Sequence, residues 1–441
     1  MNHRNPTLLA GTIVALALAH GAWAEDQSTP APGETTATAS APAEPPAPAP
    51  PVASEAWFRT VKVKGQVESG ITINPAGPDN GINFGHLFTD KANKYLLNQA
   101  TPTFERDIDP KAAGIDVGFK VQGLYGSDAR YTHFIGELDR VTGRLNQVDL
   151  VEANVTVHLP VLTKGGIDVK AGQYVTPLGE ETIDPSGNFF YSHSYLFNFG
   201  IPFKHTGVLA TTHVNPVLDI YTGYDTGVNT SLGTAGGFND ARFHFIAGFG
   251  LNFSRVTVLA LTHIGPELPE GALGAGTNVG DYNRYLSDVL VTWKITDKLT
   301  SITEGNYIVD DGAATRGGGV VQYFTYVLSP EITAGLRAEA WRDAQGFYVA
   351  AFPGNLDFID AATGRPNTSY GGGATTYGAI TLGMNLKPSH LPRLIDGTAI
   401  RPEVRFDTVL AGGTTPFSGF PGGSRSQFTF GIDLLVPLNF R

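Results

Sequence analysis

The segment near the end of the chain limits what this sequence can fold into more than any other feature. From 428 to 440 every second residue is apolar: Phe428, Phe430, Ile432, Leu434, Val436, Leu438 and Phe440. The residues between them are mostly small or polar. Successive side chains of a β-strand point to opposite faces, so one face of this segment is continuously apolar. A soluble β-sandwich could also bury such a face, and one segment alone does not decide between the two.

Segments with the same two-residue period recur along the chain and predict about sixteen strands, with fourteen to eighteen compatible with the pattern. The predicted strands are 61–73, 94–106, 113–125, 147–159, 167–176, 205–213, 217–225, 242–253, 255–264, 284–296, 299–309, 319–328, 332–343, 375–387, 401–411 and 427–440. Many amphipathic strands of about ten residues are typical of a membrane barrel.

The predicted connections alternate between short turns and long loops. The long loops are rich in Gly, Asn, Asp and Pro and span 74–93, 126–146, 177–204, 226–241, 265–283, 310–318, 344–374 and 412–426. The connection 388–400 breaks the pattern and is long enough for a short helix. Short turns at one end and long loops at the other are typical of outer-membrane barrels, whose short turns face the periplasm. We therefore predict an all-β fold, a transmembrane antiparallel up-and-down β-barrel over 57–441.

The first residues predict export. Residues 1–24 combine Arg4, the apolar run 8–19 and the small-residue site Ala22-Trp23-Ala24, as in a cleaved signal peptide. The chain has no cysteine, which excludes a lipid-modified N-terminal cysteine and a disulfide framework. Residues 25–56 contain APAEPPAPAPP and predict a disordered periplasmic leader, because proline cannot donate to a helix or a sheet. We expect the outer membrane of a Gram-negative bacterium as the location.

Composition excludes several function classes. The chain has 30 basic and 41 acidic residues, which argues against nucleic acid as a partner. Beyond the signal peptide no apolar run reaches the length of a membrane-spanning helix, so a membrane location requires a closed barrel. The sequence lacks G-x-S-x-G and H-E-x-x-H, and its histidines are scattered, so we expect no enzyme, metal or cofactor. A lipid hydrolase with a discontinuous triad stays open as an alternative.

A sixteen-stranded barrel leaves a water-filled lumen, and several charged residues occupy predicted inward positions. They are Lys62, Lys64, Glu68, Asp116, Lys120, Glu152, Asp168, Lys170, Arg337, Glu339, Glu403, Arg405 and Asp407. Rings of charge can select ions by sign. Because the two signs nearly balance here, we expect neighbouring charges to pair across strands and ion selectivity to be weak.

The third long loop, 177–204, carries seven aromatic residues between Phe189 and Phe203. Such a loop is expected to pack against a surface, and the inner wall of the barrel is the nearest one. We predict that the loop folds inward and constricts the pore. The constriction candidates are Glu180, Glu181, Asp184, Tyr191, His193 and Tyr195. The alternative is an outward loop that covers the rim or a neighbouring subunit.

Four segments resemble the OmpL-like porins of the beta-barrel porin type two family: LLNQA (96–100), VKAGQYVTPLGEETID (169–184), YSHSYLFNFG (191–200) and PFKHTG (202–207). The resemblance covers most of 60–440 and implies an outer-membrane barrel that acts as a porin. The motif positions are Gly172, Gln173, Pro177, Gly179, Tyr195, Phe197, Asn198, Phe199, Gly200, His205, Thr206 and Gly207.

Two features depart from this pattern. Arg441 follows the terminal aromatic Phe440, which would weaken recognition of the last strand by the barrel-insertion machinery. The leader is rich in Pro and Ala where some relatives carry a helical coiled segment, so we infer no stalk or trimer from it. An oligomer is nevertheless compatible with the sequence.

These observations predict a porin through which small hydrophilic solutes or ions diffuse passively, with the third long loop setting the size limit. The expected partners are outer-membrane lipid, the solutes and the insertion machinery. Two alternative functions remain open. One is a substrate-specific channel for a sugar, a peptide or a metal-chelate, and the other is a non-conducting structural or adhesive barrel.

Overall fold

Sixteen antiparallel strands form a closed barrel in the computed structural model. The strands are β1 (Lys62–Ile73), β2 (Tyr95–Arg106), β3 (Asp116–Gly126), β4 (Gln147–Leu159), β5 (Ile167–Val175), β6 (Lys204–His213), β7 (Leu218–Asp225), β8 (His244–Asn252), β9 (Val256–Gly265), β10 (Arg284–Lys294), β11 (Leu299–Asp310), β12 (Thr315–Ser329), β13 (Ile332–Asp343), β14 (Thr375–Leu386), β15 (Ala399–Ala411) and β16 (Ser426–Asn439).

The structure describes residues 57–134, 137–138, 145–228, 243–268, 273–274, 276–349, 373–418 and 423–440. The predicted signal peptide, the predicted leader and Arg441 lie outside the described residues. Parts of several predicted long loops lie outside them as well.

The ring closes where β1 pairs with β16, in a register that runs from Lys64 opposite Asn439 to Ile73 opposite Phe430. Every other strand pairs with its neighbours in the sequence. A closed ring leaves no strand edge without a hydrogen-bond partner, which is what a sheet needs in lipid. The predicted fold class, including about sixteen strands, is confirmed.

The two faces of the sheet are inverted relative to a soluble protein. On β16, Phe430 is 43% exposed and points outward, whereas Asp433 is 2% exposed and points into the barrel. The same alternation holds on β8, where Phe245 points outward and His244 inward. An apolar outer surface around a polar interior is the arrangement of a barrel in lipid.

Loop length follows the predicted parity except at one hairpin. The predicted long loop 310–318 is wrong, because β12 begins at Thr315 and Gly317 to Gly319 pair with β11. Glycine occupies these strand positions because large side chains pack directly against the strand backbone. A Cβ at Gly317 would lie 2.9 Å from the Tyr348 side chain. At the other end, the connection after β14 contains the expected short helix, a 3₁₀ turn at Arg393–Ile395.

Described residues of three long loops fold into the lumen. We call these segments the first loop (74–94), the second loop (its described residues 127–134) and the third loop (176–203). Helix α1 (Ala129–Thr132) lies in the second loop and helix α2 (Tyr195–Gly200) in the third. Their apolar side chains form the largest buried cluster of the described residues, together with inward residues of the strands. Within the described ranges, no α-helix combines the length and apolar character that a membrane-crossing helix needs.

Candidate functional site

The third loop crosses the lumen from one side to the other. It leaves β5, and its middle part contacts β13, β15 and β1, which lie eight, six and four strands from β5 around the ring. On β1 the Asp184 carboxylate accepts a hydrogen bond of 2.9 Å from the Gln66 side chain. The loop returns through α2, and the Gly200 carbonyl accepts from the Asn306 amide on β11 at 3.0 Å.

Local sequence fixes the two turns of this path. The Asp184 side chain accepts from the Ser186 N–H at 2.9 Å, and Pro185 begins a 3₁₀ turn. The Ser194 hydroxyl accepts from the Phe197 N–H at 3.1 Å and so caps α2. Asp and Ser are favoured where a turn or helix begins, because their side chains satisfy backbone donors that have no helical partner.

Two buried arginines bind the loop backbone and one loop carboxylate. Arg337 on β13 donates to Glu181 Oε1 at 2.7 Å and to the Ser192 carbonyl at 2.6 Å. Arg405 on β15 donates to the His193 carbonyl at 2.5 Å. Both guanidinium groups are at most 1% exposed. Guanidinium groups present several donors in a fixed plane, so each can hold more than one loop atom.

Arg401 on β15 makes the largest set of contacts. Its Nη1 donates to the carbonyls of Pro185 and Asn188, both at 2.8 Å. Its Nη2 donates to Glu68 on β1 at 2.7 Å and to Asp433 on β16 at 2.6 Å. The side chain therefore joins the far end of the third loop to three strands of the wall. Arg401 and Asp433 are not among the predicted lumen charges, although both occupy inward positions of predicted strands.

Carboxylates on β10, β11, β13 and β15 accept from backbone N–H groups of the loop. The bonds are Glu403 Oε2 with Tyr191 N (3.0 Å), Glu339 Oε2 with Tyr195 N (2.6 Å), Glu304 Oε2 with Glu180 N (3.1 Å) and Asp288 Oδ1 with Gly179 N (3.3 Å). A buried N–H group without a partner is costly, so these bonds satisfy a loop that has little regular structure of its own.

Small residues of the wall receive the aromatic tip of the loop. Gly335 on β13 pairs directly with Gly383 on β14. A Cβ at Gly335 would lie 2.1 Å from the Phe189 ring, and one at Gly383 would lie 3.1 Å from Phe190. Glycine at these two positions lets the rings approach the backbone of the strands closely.

The first loop packs on the third, and the second loop packs on the first. The Phe88 ring lies 4.7 Å from His193, 5.7 Å from Phe197 and 5.5 Å from Tyr131, measured between ring centroids. The entry of these two loops into the lumen is not among the predictions from the sequence. The apolar residues of the segment 84–88 were the available signal.

A salt bridge ties the first loop to the second loop, and a hydrogen bond ties the first loop to the wall. Arg130 binds Asp90 through both guanidinium nitrogens, at 2.6 and 2.9 Å. His86 Nε2 lies 3.0 Å from Asp407 on β15. Burial lowers the pKa of His86, and the nearby Arg405 lowers it further. The neutral imidazole is therefore favoured at this contact.

Glu180 and Glu181 are neighbours with opposite electrostatic surroundings. Burial raises the pKa of Glu180 to about 7, and the Glu181 charge adds to the rise. Burial would also raise the pKa of Glu181, but Arg337, His193 and the Ser194 N–H outweigh it and hold the value at about 2. Near neutral pH Glu181 is thus a fixed anion, and Glu180 is close to its titration point.

The structure places all six constriction candidates inside the barrel. Glu181, Tyr191, His193 and Tyr195 are buried, and Glu180 and Asp184 are partly exposed. The Tyr191 hydroxyl donates to Asn98 on β2 at 2.9 Å. His193 Nδ1 lies 3.4 Å from Glu181, and the Tyr195 ring stacks on Tyr377 at 5.4 Å.

The charges on β3 to β5 border an open space beside the start of the third loop. Lys120 forms a salt bridge of 2.7 Å with Glu152, and Asp168 lies 2.7 Å from His158. Lys120, Glu152, Asp168 and Lys170 line a cavity of ≈ 540 Å³, whose other lining residues include Glu105, Val175, Pro177, Leu209 and Tyr221. The structure thus pairs Lys120 with Glu152 as expected, while leaving water-accessible volume on this side of the lumen.

Sequence comparison identifies the family of this barrel. Residues 60–438 match the model of the family described as Putative beta-barrel porin-2, OmpL-like. The chain belongs to this family. The family model and the closed barrel together make it a porin-like barrel of the outer membrane. No curated protein matches the sequence significantly.

Solved structures support the fold of this porin-2 family member. The outer membrane channel DcaP of Acinetobacter baumannii is 13% identical, with a TM-score of 0.52 over 86% of this chain and 97% of that one. OprB of Pseudomonas putida is 12% identical, with a TM-score of 0.52 over 88% and 96%. An anion-selective porin from Comamonas acidovorans is 11% identical, with a TM-score of 0.51 over 86% and 99%. At this identity the likeness establishes the barrel architecture alone.

Proposed function

We propose that the protein is an outer-membrane porin through which small hydrophilic solutes and ions diffuse, and that the third loop sets the size limit. One observation carries this proposal. The loop crosses the lumen and is held on the far wall by Arg337, Arg401 and Arg405, whereas the wall near its origin lines a cavity. A loop fixed across part of the lumen, beside an open space with a polar lining, limits the size of the solutes that pass. This function requires no chemical step.

The solute path follows β3 to β7, beside the loop. Lys120, Lys170 and Asp168 keep part of their side chains exposed there. Because cations and anions alternate along this path, it attracts neither sign of ion strongly, and we expect weak ion selectivity.

The constriction candidates divide into two roles. Glu180 and Asp184 are the partly exposed ones, and they are the candidates for contact with the solute. Glu181, Tyr191, His193 and Tyr195 are buried, and they position the loop. Substitutions of the first pair are expected to change conductance directly, and those of the second group to change it by releasing the loop.

Planar-bilayer recording of the refolded full chain tests the proposal. The expected result is a discrete, ohmic conductance step for each inserted molecule, together with flux of small uncharged sugars into liposomes that stops above a size limit. Heat-modifiable mobility in detergent gels would show that the barrel is folded. A folded barrel that inserts without conductance would overturn the proposal and favour the structural or adhesive alternative.

A substrate-specific channel is the second candidate, favoured by the mixed lining of the cavity. Charged residues of both signs lie opposite the apolar side chains of Leu209 and Tyr221. Such a lining suits a small solute with both charged and apolar parts. Solute flux that saturates with concentration would support this candidate, and strictly linear flux would support passive diffusion.

Export through a cleaved signal peptide is part of the proposed location. Cleavage after Ala24 would leave Glu25 as the first residue of the mature chain. N-terminal sequencing of the protein from isolated outer membranes is expected to start at Glu25. Recovery of the full-length chain from the inner membrane would contradict this location.

A further inference from the structure

Three histidines and an aspartate lie side by side at the loop-side ends of four adjacent strands. His205 belongs to β6, Asp225 to β7, His244 to β8 and His263 to β9, and each side chain points into the barrel. All four have 0% exposure. None of them lines the proposed solute path, and the contacts of the third loop with the far wall do not use them.

Two of the imidazoles converge on one carboxylate. His205 Nδ1 lies 3.1 Å from Asp225 Oδ2, and His263 Nε2 lies 3.1 and 3.2 Å from the two Asp225 oxygens. The three ligand atoms all lie within 4.8 Å of one another. Ligands of tetrahedral zinc are separated by about 3.3 Å, because Zn–N and Zn–O bonds are about 2.0–2.2 Å long. The spacing therefore suits ligands that share one ion.

The surroundings orient both imidazoles toward Asp225. His205 Nε2 lies 3.0 Å from the Thr176 hydroxyl, which leaves Nδ1 facing the carboxylate. Histidine ligands of metals are usually anchored in this way through the second ring nitrogen. The His263 ring stacks on His244 at 5.3 Å with an interplanar angle of 10°. Within the described part of the chain, His263 Nδ1 has no hydrogen-bond partner.

We propose that this group binds a divalent transition-metal ion through His205 Nδ1, His263 Nε2 and the Asp225 carboxylate, with the fourth position taken by water. Two imidazoles and one carboxylate form a donor set that suits Zn²⁺ and other transition metals, whereas Mg²⁺ and Ca²⁺ prefer oxygen ligands only. The ion ties together the ends of β6, β7 and β9. Through the contact between His205 and Thr176 it also steadies the residue at which the third loop begins.

A second set of histidines in the same barrel provides a matched control. At the opposite ends of the strands, His213 lies 3.1 Å from Asp168 and 2.7 Å from Asp219, and His158 lies 2.7 Å from Asp168. Among the described residues, only the set at 205, 225 and 263 brings three such ligand atoms within 4.8 Å of one another. The second set contains the same residue types without a common centre.

The experiment loads the full chain with metal and counts what stays bound. Because the ligands are buried, the chain is refolded into detergent with Zn²⁺ or with EDTA and then dialysed. The wild type and His213→Gln are expected to retain one zinc ion per chain and to melt at a higher temperature after refolding with Zn²⁺. Asp225→Asn and His263→Gln are expected to lose both properties. Refolding with Co²⁺ should give the intense visible absorption of a tetrahedral site in the wild type.

Thr176→Val separates a metal site from a hydrogen-bonded network. Loss of an anchoring partner lowers metal affinity by about 10–100-fold, so this variant should bind Zn²⁺ correspondingly more weakly in competition with a chelator. Should Asp225→Asn fail to fold, His263→Gln and Thr176→Val still decide the matter. The proposal is overturned if the folded wild type retains no zinc, or if His213→Gln loses as much zinc as His263→Gln. Channel conductance plays no part in this test, so its outcome is independent of the proposed function.

Discussion

The two sides of the lumen use the same residue types for different purposes. On the wall formed by β13, β15, β16 and β1, the charged side chains are buried and bound to the third loop, as Arg401 is to the carbonyls of Pro185 and Asn188. On the wall formed by β3 to β7, Lys120 and Lys170 keep partial exposure and line the cavity. The first wall is a binding surface for the protein's own loop, and the second remains available to solvent.

The difference shows that an inward-facing charge in a barrel does not by itself indicate a contact with the solute. Arginine dominates the loop-binding wall and lysine the open wall. Guanidinium groups can satisfy several acceptors at once in a dry environment, whereas a single ammonium group is strongly hydrated and favours partial exposure. The buried charges therefore hold the third loop in place. The partly exposed charges produce a weak electrostatic field in the cavity beside the loop.

The largest effect is expected from removal of the Arg401 side chain. Arg401→Met would leave Glu68, Asp433 and two loop carbonyls without their donor. Breaking a buried ion pair in this way costs about 3–5 kcal/mol of unfolding free energy, to be measured by urea unfolding in detergent micelles. Lys170→Met on the open wall is the control and should change the unfolding free energy by less than about 0.5 kcal/mol. Equal effects of the two substitutions would remove the distinction between the walls.

A smaller loss of stability is expected from a substitution at the point where the tip of the third loop contacts the wall. In Gly335→Ala the added methyl group would lie 2.1 Å from the Phe189 ring, which forces the tip away and costs about 1–3 kcal/mol. At Gly305 the nearest atom to an added Cβ is 3.7 Å away. Gly305→Ala should therefore be neutral or slightly stabilising, since alanine loses less backbone entropy than glycine in a strand. A neutral Gly335→Ala would show that the tip does not rest on this wall.

The two neighbouring glutamates should respond to pH in opposite directions. The folded-state pKa of Glu180 is raised from 4.5 to about 7, so the wild type loses stability as pH rises through that range. Glu180→Gln removes this loss and should become more stable than the wild type by about 1–2 kcal/mol above pH ~7, with no advantage below pH ~4.5.

Glu181→Gln is the matched partner of that substitution. The folded-state pKa of Glu181 is lowered from 4.5 to about 2, so its contribution to stability is present above pH ~4.5 and is lost as pH falls through ~2. This variant should be less stable than the wild type at neutral pH, and its deficit should shrink below pH ~4.5. Parallel pH profiles for the two variants would contradict the separate surroundings assigned to them.

The smallest effect on stability is expected from a substitution on the open wall, which is formed by β3 to β7. Lys170→Glu replaces a cation beside the cavity by an anion, so the reversal potential in a salt gradient should move toward that of the cation. Unfolding free energy should stay within about 0.5 kcal/mol of the wild type. The same charge reversal at Arg405 should abolish folding instead. A stable Arg405→Glu barrel would contradict the difference between the two walls.

Sequence pattern predicted the barrel well because lipid imposes a strict alternation of apolar and polar residues on every strand. It also predicted the inward third loop, because seven aromatic residues between 189 and 203 need a surface to pack on. The loop at 310–318 was mistaken for a long one, because its glycines serve close packing against Tyr348 and Trp341 and do not mark a turn. The pairing of His205 with Asp225 and His263 was not visible either, since it depends on the register of four strands.

Single-channel conductance of the wild type and of a chain without residues 182–198 tests the central claim most directly. The deletion removes the part of the third loop that crosses the lumen and leaves its origin on β5 and its return to β6. Heat-modifiable mobility must first show that the shortened chain forms a closed barrel. The account predicts a conductance several-fold higher than that of the wild type, with larger sugars admitted into liposomes. A folded deletion variant with unchanged conductance and unchanged size limit would contradict it.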